Sequence, residues 1–442
     1  MLRRAFVPNS MPGTVRACVP LRDGVNRMAC KVLLTTTVGW ASVARLAHGF
    51  AAASCEVDAL APARALVFAS RYVSGQYRYK PLSAVASLRA AITRASPDLV
   101  VPCDDRAVAH MLALYDQTTS TDKALAAAIE RSLGDTTSYS EMMSRSGFIA
   151  RAKALGVRVP DTCSVSTWAE LDRFIAGTDL PVVLKVDGSW GGEGVIVARG
   201  RSQAHAALRR LGQTPSRFRS LARAVRRRDA HHFNAAISPP PAALSVQRFI
   251  TGRPAASAVA CWQGEIIGAF YYDVLVAQGE IGPPNVIRRM ECAEMESATR
   301  RIVRHYRLSG IHGLDFLRDA TGAAYLIEIN PRATQGGTIA FGAGCDLPAA
   351  LASVVEPAAG MREAILNDTV AIFPREWQRD PASPWLRSAH HDVPWDDPAV
   401  LLASLQGTRR IPTSNKRARA SQLPRDGLLS GFDAMIAGYT GL

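Results

Sequence analysis

Short apolar runs alternate with amphipathic segments in the N-terminal part of the chain. Lys31–Thr37 and Asp98–Asp104 have the apolar runs of buried strands, whereas Trp40–Ala53 and Arg106–Tyr115 have helical spacing. Further strand pieces are expected at residues 57–60 and 65–68. Strands that alternate with helices indicate a parallel α/β layer, so we predict a parallel α/β domain here.

Two acids, Asp104 and Asp105, lie where the second of these strands ends. Open α/β sheets bind ligands at the carboxyl ends of their strands, which makes both residues candidates for a ligand site. The alternative is that one of them caps the N-terminus of the helix that follows. The sequence leaves both interpretations open.

A second pattern predicts a β-hairpin late in the chain. Apolar residues flank Glu328 and Asn330 with strand-like alternation over residues 326–330, and the Thr-Gly dipeptide at 321–322 supplies a turn signal. A hairpin folded about that dipeptide places Asp315 opposite Glu328. Asn330 points the same way as Glu328 because side chains in a strand alternate with period two.

The chemistry of this hairpin favours a divalent cation. Opposed Cβ atoms in a sheet lie roughly 4.5–5.5 Å apart, and two carboxylates that close repel unless a cation sits between them. The oxygen atoms of Asp315, Glu328 and Asn330 suit Mg²⁺ or Mn²⁺, and Mg²⁺ typically combines one or two carboxylates with substrate phosphates. The alternative is a solvent-facing hairpin with incidental acids.

A glycine-rich segment adds a candidate phosphate site. Lys185 lies in an apolar strand just ahead of a loop with four glycines: Gly188, Gly191, Gly192 and Gly194. Glycines let backbone N–H groups approach an anion closely, and a nearby lysine neutralises phosphate as a point charge. The run after the loop, Val195–Ala198, is β-branched and too short for a helix. Together with the absence of GxxxxGK(S/T) spacing, that argues against the strand–loop–helix motifs of P-loop and Rossmann proteins.

Together these motifs resemble the ATP-grasp superfamily, which has the fold of D-alanine–D-alanine ligase, biotin carboxylase and carbamoyl-phosphate synthase. The resemblance rests on Val183–Gly194, Gly313–Asp315 and Glu328–Arg332, and it covers roughly residues 31–350. It implies an α/β ATP-grasp fold with an N-terminal parallel α/β domain, and ATP and Mg²⁺ (or Mn²⁺) as cofactors.

The resemblance also implies roles for individual residues. Lys185 would contact the ATP phosphates, and Arg332 would stabilise an acyl-phosphate transition state; these are the two candidate catalytic residues. Two Mg²⁺ ions would be held by Asp315, Glu328 and Asn330. The loop that closes over the phosphates would be Gly188, Ser189, Gly191, Gly192 and Gly194.

Some positions depart from the superfamily pattern. Arg145 stands where a lysine that grips phosphate is common, and a planar guanidinium differs in geometry from an ammonium. Gln247 stands where the adenine-contacting hinge usually has a glutamate, and backbone groups of Arg248 and Phe249 would meet the adenine edge. Pro254 replaces the acid that usually contacts the ribose.

Composition narrows the class of protein. A chain of 442 residues exceeds the size at which one core stops growing, so about two to four subdomains are expected. No apolar run reaches the roughly 18 residues of a membrane span, and eight scattered cysteines without a CxxC pair indicate reduced thiols in a cytosol.

The net charge of +14 suits either an anionic substrate such as ATP or a nucleic acid. The densest basic stretch, residues 209–228, is interpreted as a solvated insertion or as a clamp for an anionic substrate. Nucleic acid is not expected as a partner because no aromatic residues interleave with the charges.

Four segments follow from these patterns. They are a disordered or mis-assigned extension at 1–27, a preceding α/β domain at 28–130, an ATP-grasp domain at 131–350 with its glycine-loop subdomain at about 160–250, and a partly loop-rich C-terminal extension at 351–442.

The function predicted from the sequence is ATP-dependent ligation of a carboxylate to an amine or similar nucleophile through an acyl-phosphate, in the cytoplasm. Small-molecule acids and amines are the expected partners, with no membrane. A homodimer is the oligomer that the resemblance suggests. The alternatives are a non-catalytic ATP-binding module or regulator and, more distantly, a basic nucleic-acid-binding protein.

Overall fold

The computed structural model of the protein describes residues 30–186, 194–212, 244–279 and 282–407. The predictions for residues 1–27, for Gly188, Ser189, Gly191 and Gly192, and for most of the basic stretch 209–228 fall outside these ranges. Within them, no helix combines the length and the apolar character needed to cross a membrane.

The N-terminal part is a parallel four-stranded sheet in the order β3-β2-β1-β4, as the alternation of strands and helices predicts. Its elements are β1 (Lys31–Thr35), α1 (Ala41–Ala52), β2 (Glu56–Ala61), β3 (Gly75–Arg78), α2 (Ala84–Ala95), β4 (Leu99–Pro102), α3 (Asp105–Thr118) and α4 (Lys123–Leu133).

The predicted strand at residues 65–68 is wrong. The chain turns after β2, where the Ala65 N–H donates to the Pro62 carbonyl, and Leu66–Ala69 forms a short 3-10 helix instead. The sheet edge is taken by β3, which begins at Gly75. A Cβ atom there would lie 2.2 Å from Asp58 Oδ1, so the buried Asp58 carboxylate leaves no room for a side chain at this position.

Two short helices lead into a small antiparallel sheet in the order β5-β8-β6-β7, which has an apolar core of its own. These elements are α5 (Tyr139–Met143), α6 (Arg145–Ala154), β5 (Thr162–Ser164), α7 (Trp168–Thr178), β6 (Val182–Val186), β7 (Val195–Ala198), α8 (Arg201–Gly212) and β8 (Leu244–Arg248).

A seven-stranded sheet in the order β13-β12-β9-β10-β11-β14-β15 forms the rest of the fold. Its strands are β9 (Arg253–Trp262), β10 (Glu265–Ala277), β11 (Pro284–Met290), β12 (Gly310–Arg318), β13 (Ala324–Asn330), β14 (Thr369–Ala371) and β15 (His390–His391). The accompanying helices are α9 (Ala293–His305), α10 (Leu347–Ala352), α11 (Arg375–Arg379), α12 (Trp385–Ser388) and α13 (Pro398–Gly407). The segment expected to be a loop-rich extension therefore contributes two strands to this sheet.

The N-terminal sheet and the seven-stranded sheet share their apolar cores. Along β1, Val32 belongs to a core that includes Ala258 of β9, whereas Leu33 belongs to a second core that includes Val259. Because side chains alternate across each strand, both faces of both sheets pack into these common cores. The edge of the N-terminal sheet is thereby fixed relative to the hairpin β12–β13.

A buried carboxylate fixes the carboxyl edge of the N-terminal sheet. Asp104 caps α3 by accepting from the Ala107 N–H at 3.0 Å. It also accepts from the Thr36 hydroxyl at 2.9 Å, and from the Thr37 N–H at 2.6 Å and hydroxyl at 2.9 Å. The capping alternative is therefore the correct one for Asp104, which leaves Asp105 as the acid available to other partners.

Replacing Asp104 should destabilise the fold far more than replacing an ordinary cap. Asp104→Ala leaves several buried donors without an acceptor and should lower the free energy of unfolding by about 3 kcal/mol. Asp122→Ala is the matched control, because Asp122 caps α4 by accepting from the Leu125 N–H, and this substitution should cost about 1 kcal/mol. Urea denaturation measures both, and equal losses would contradict the buried network.

Candidate functional site

The hairpin β12–β13 has the predicted register where the chemistry lies. Asp315 pairs with Glu328, and Gly313 pairs with Asn330. The side-chain amide of Asn330 donates to Asp315 Oδ2 at 3.0 Å, so three oxygen-bearing groups lie on one face. A bulge follows Asp315, and Phe316 pairs with Leu326; the sequence did not predict this shift.

Burial and repulsion act together on Asp315. Burial and, after it, the neighbouring charge of Glu328 raise the pKa of this carboxyl to about 6, against the opposing effects of Asn330, Arg332 and Lys185. A cation at this face would relieve the repulsion between the two acids.

No group of three or more His, Cys, Asp or Glu side chains converges on a common point among the described residues. A divalent ion held here would need the Asn330 oxygen and non-protein ligands beside the two carboxylates, which is the coordination that Mg²⁺ favours with phosphates.

Lys185 lies on β6 and faces the same acids. Its side chain is buried, and burial together with the charge of Arg145 lowers the pKa of the ammonium to about 8, against the opposing charges of Glu328 and Asp315. The predicted strand–loop–strand arrangement is confirmed, because Lys185 pairs with Val195 across the two strands. At the end of the loop, Gly194 has φ +80°, and its carbonyl accepts from the Val186 N–H at 3.0 Å.

Arg145 connects the small sheet to the hairpin. It begins α6, whose N-cap Ser144 accepts from the Gly147 N–H at 3.3 Å. Its guanidinium donates to Glu328 Oε1 at 3.1 Å and to the Val186 carbonyl. The positive charge that the sequence placed here is therefore beside a candidate metal ligand and at the base of the glycine-rich loop.

Arg332 connects the hairpin to the N-terminal sheet. Its guanidinium donates to Asn330 Oδ1 at 3.1 Å and to Asp105 Oδ1 at 3.1 Å. The same guanidinium lies 5.4 Å from the centre of the Trp40 ring. Sequence reasoning singled out Asp105 only as a strand-end acid and missed Trp40, because no local pattern pairs either residue with a position more than 200 residues away.

The hinge residues occupy the strand that leads out of the small sheet. Gln247 donates from its side chain to the Thr162 hydroxyl at 3.0 Å. The Arg248 N–H donates to the Asp161 carbonyl at 2.8 Å, and the Phe249 N–H donates to the Pro181 carbonyl at 3.3 Å. These two N–H groups are engaged within the protein, so the prediction that this stretch meets adenine now rests on its carbonyl groups.

Solved structures share this fold. The biotin carboxylase domain of 2-oxoglutarate carboxylase from Hydrogenobacter thermophilus, described in complex with MgADP, ADP and bicarbonate, superposes with a TM-score of 0.54 at 13% identity, over 77% of this chain and 71% of that one. N5-carboxyaminoimidazole synthetase from Staphylococcus aureus gives a TM-score of 0.54 at 10% identity, over 77% and 81%. Biotin carboxylase from Campylobacter jejuni gives 0.53 at 13% identity, over 77% and 75%.

No protein-family model matches the sequence, and no curated protein matches it. At such low identities the likeness to solved structures is one of fold. It confirms the predicted ATP-grasp fold with an N-terminal parallel α/β layer.

The buried charge of Asp315 should make the protein less stable as the pH rises. Since the pKa of Asp315 is raised from 3.8 to about 6, the folded state binds a proton more tightly than the unfolded state, and stability falls between about pH 4 and 6. Asp315→Asn removes this penalty. In EDTA, its free energy of unfolding should therefore rise relative to wild type across that interval.

A control for this effect lies in the same hairpin. Hydrogen bonds from Thr321 lower the pKa of Asp319 below its ordinary value of 3.8, so its charge stabilises the fold above that pH and the contribution is lost on acidification. Between pH 4 and pH 7 the difference between Asp319→Asn and wild type should therefore stay nearly constant, whereas the difference for Asp315→Asn should grow. Chemical denaturation at pH 4 and pH 7 measures both; a difference independent of pH for Asp315→Asn would contradict the assignment.

Proposed function

We propose that this protein is an ATP-dependent ligase that joins a carboxylate to an amine or a similar nucleophile through an acyl-phosphate, using Mg²⁺. The observation that carries the proposal is the convergence of the opposed acids Asp315 and Glu328 with the cations Lys185, Arg145 and Arg332. Two acids suit a metal that accompanies phosphates, and the three cations suit the phosphates themselves.

Each group has a distinct task in the proposed reaction. Asp315, Glu328 and Asn330 would hold the Mg²⁺, which supplies Lewis acidity to the β- and γ-phosphates and neutralises the charge that develops there. Lys185 and Arg145 would bind phosphate oxygens from the side of the small sheet. Arg332 would face the transferred phosphoryl group, where a guanidinium stabilises charge that is spread over equatorial oxygens.

The proposed reaction has two steps. A carboxylate oxygen of the acid attacks the γ-phosphorus, the bond to the bridging oxygen breaks, and ADP leaves. The amine then attacks the acyl carbon of the mixed anhydride, loses a proton, and displaces phosphate. Phosphorylation is needed because a free carboxylate has no adequate leaving group.

The related folds support this class of reaction without identifying the substrates. The Hydrogenobacter structure is described with MgADP and bicarbonate, and an N5-carboxyaminoimidazole synthase from Aspergillus clavatus, with a TM-score of 0.54 at 12% identity over 77% of this chain and 80% of that one, is described with ADP and 5-aminoimidazole ribonucleotide. A nucleotide together with a small acceptor is what the proposal expects of this protein.

A screen for ADP release tests the proposal. Purified protein with ATP and Mg²⁺ should release ADP and phosphate only when a suitable acid is present, and amino acids, small diacids and amines form the panel. Omitting Mg²⁺ or adding EDTA should abolish the release. Firm ATP binding without ADP formation across the panel would favour a non-catalytic nucleotide-binding module.

Loss of either opposed acid should remove most of the activity. Asp315→Asn and Glu328→Gln should each lower kcat for ADP release by at least about 100-fold, because each removes charge that holds the metal against the phosphates. Glu265→Gln is the control: Glu265 is an exposed acid at the start of β10 whose partner is Arg304, at 3.2 Å. Full turnover in either acid variant would refute the site.

Binding of ATP should be accompanied by proton uptake at Lys185. With a pKa of about 8 in the free protein, Lys185 is half deprotonated at pH 8, and bound phosphates would raise that pKa. Uptake of about half a proton is therefore expected at pH 8, measured by calorimetry in buffers of different ionisation enthalpy.

The matched variant for this measurement is Lys185→Arg, whose guanidinium stays charged at any working pH. It should bind ATP with no uptake from this position, so the difference between the two proteins isolates Lys185. Equal uptake in both would assign the titration to another group.

A further inference from the structure

The Arg332 guanidinium is held from the N-terminal sheet by two side chains of different chemistry. Asp105 accepts its Nε–H at 3.1 Å, and the Trp40 ring lies 5.4 Å from its central carbon. We propose that Asp105 and Trp40 are positioning residues that set the orientation of Arg332 for phosphoryl transfer. This inference rests on the proposed function, and it assigns a part in the chemistry to a domain that holds none of the phosphate or metal ligands.

Both side chains start from helix N-termini. Asp105 is the first residue of α3, directly after Asp104, whose carboxylate is held by Thr36, Thr37 and the Ala107 N–H. Trp40 is the N-cap residue of α1. Both therefore project from helix starts at the carboxyl edge of the N-terminal sheet. A position fixed by a buried network changes little when its ligand binds.

The backbone beside Arg332 is tied to the same edge. The Ala333 N–H donates to the Pro102 carbonyl at 2.9 Å, where β4 ends. The Ala333 backbone is thus bonded to the end of β4, and the Arg332 side chain is paired with the start of α3. A displacement of this edge of the N-terminal domain would therefore move the Arg332 guanidinium.

Arg332 needs such a constraint because its own surroundings offer a competing partner. Asn330 lies between Arg332 and the Asp315 carboxylate, accepting from Arg332 at 3.1 Å and donating to Asp315 at 3.0 Å. Without Asp105 the guanidinium is free to turn toward the Asp315 carboxylate, where it would compete with the metal. Asp105 holds the guanidinium through its Nε–H, and the face of Trp40 restricts it by cation–π attraction.

Steady-state kinetics separates positioning from a merely structural role. Asp105→Asn should lower kcat for ADP release by about 10-fold and change the KM for ATP by less than about 2-fold, because the interaction matters in the transition state. Asp105→Glu keeps the charge and should recover most of kcat. The control is Asp122→Asn, the same substitution at the start of the neighbouring helix α4, which should leave kcat unchanged.

A double-mutant cycle tests whether Asp105 acts through Arg332. In an Arg332→Lys background, Asp105→Asn should lower kcat by less than about 2-fold, because residues that act as a unit are not additive. Trp40→Leu should lower kcat more than Trp40→Phe, which keeps an aromatic face. Effects of Asp105→Asn and Arg332→Lys that multiply fully, or an unchanged kcat in Asp105→Asn, would overturn the proposal.

A binding experiment keeps this inference distinguishable from the ligase proposal. ADP, Mg²⁺ and aluminium fluoride mimic the transferred phosphoryl group, and wild type should bind them more tightly than MgADP alone. Asp105→Asn should lose about 10-fold of that affinity while binding MgADP normally, as expected for a contact specific to the transition state.

If wild type binds the aluminium fluoride complex more tightly than MgADP but releases no ADP with any acid, the ligase proposal fails. The affinity of Asp105→Asn for the same complex still decides the positioning role. If wild type and Asp105→Asn bind the aluminium fluoride complex with equal affinity, the positioning role is overturned, even if the protein is an active ligase. Wild type that binds neither complex overturns both.

Discussion

The repulsion between the Asp315 and Glu328 carboxylates, held opposite one another on β12 and β13, is the constraint to which the surrounding structure responds. Positive charge arrives from three directions: Lys185 from the small sheet, Arg145 from the start of α6, and Arg332 from the chain that leaves the hairpin. The free energy of unfolding is lowered by Asp315, because this buried acid lies where its ionised form is disfavoured. Such a loss of stability is common at ligand sites.

The three cations differ in how they are held, and the difference suits their proposed tasks. Lys185 is buried, and its ammonium lacks the planar donor geometry of a guanidinium. The pKa of this ammonium is therefore raised when an anion binds beside it. Arg145 and Arg332 are tied to named acceptors and present planar donors with a set direction. A site built in this way combines one adaptable charge near the predicted phosphates with two oriented charges beside the candidate metal ligands.

The N-terminal sheet is more than a neighbour of this site. Shared apolar cores fix its position against the seven-stranded sheet, and the Asp104 network makes its carboxyl edge rigid. Asp105 and Trp40 extend from that edge to Arg332. In the proposed reaction the N-terminal domain would therefore orient the arginine that faces the transferred phosphoryl group.

The sequence by itself determined the features that depend on local pattern. The alternation around Glu328 and the turn at Gly322 placed Asp315 opposite Glu328, and the β-branched run after the glycines identified β7 as a strand. Only the tertiary structure decided which distant groups meet these residues: Asp105 and Trp40 at Arg332, Glu328 at Arg145, and the C-terminal strands β14 and β15 at the sheet edge. The physical reason is that periodicity and turn chemistry act over a few residues, whereas these contacts arise from the packing of sheets that no local pattern encodes.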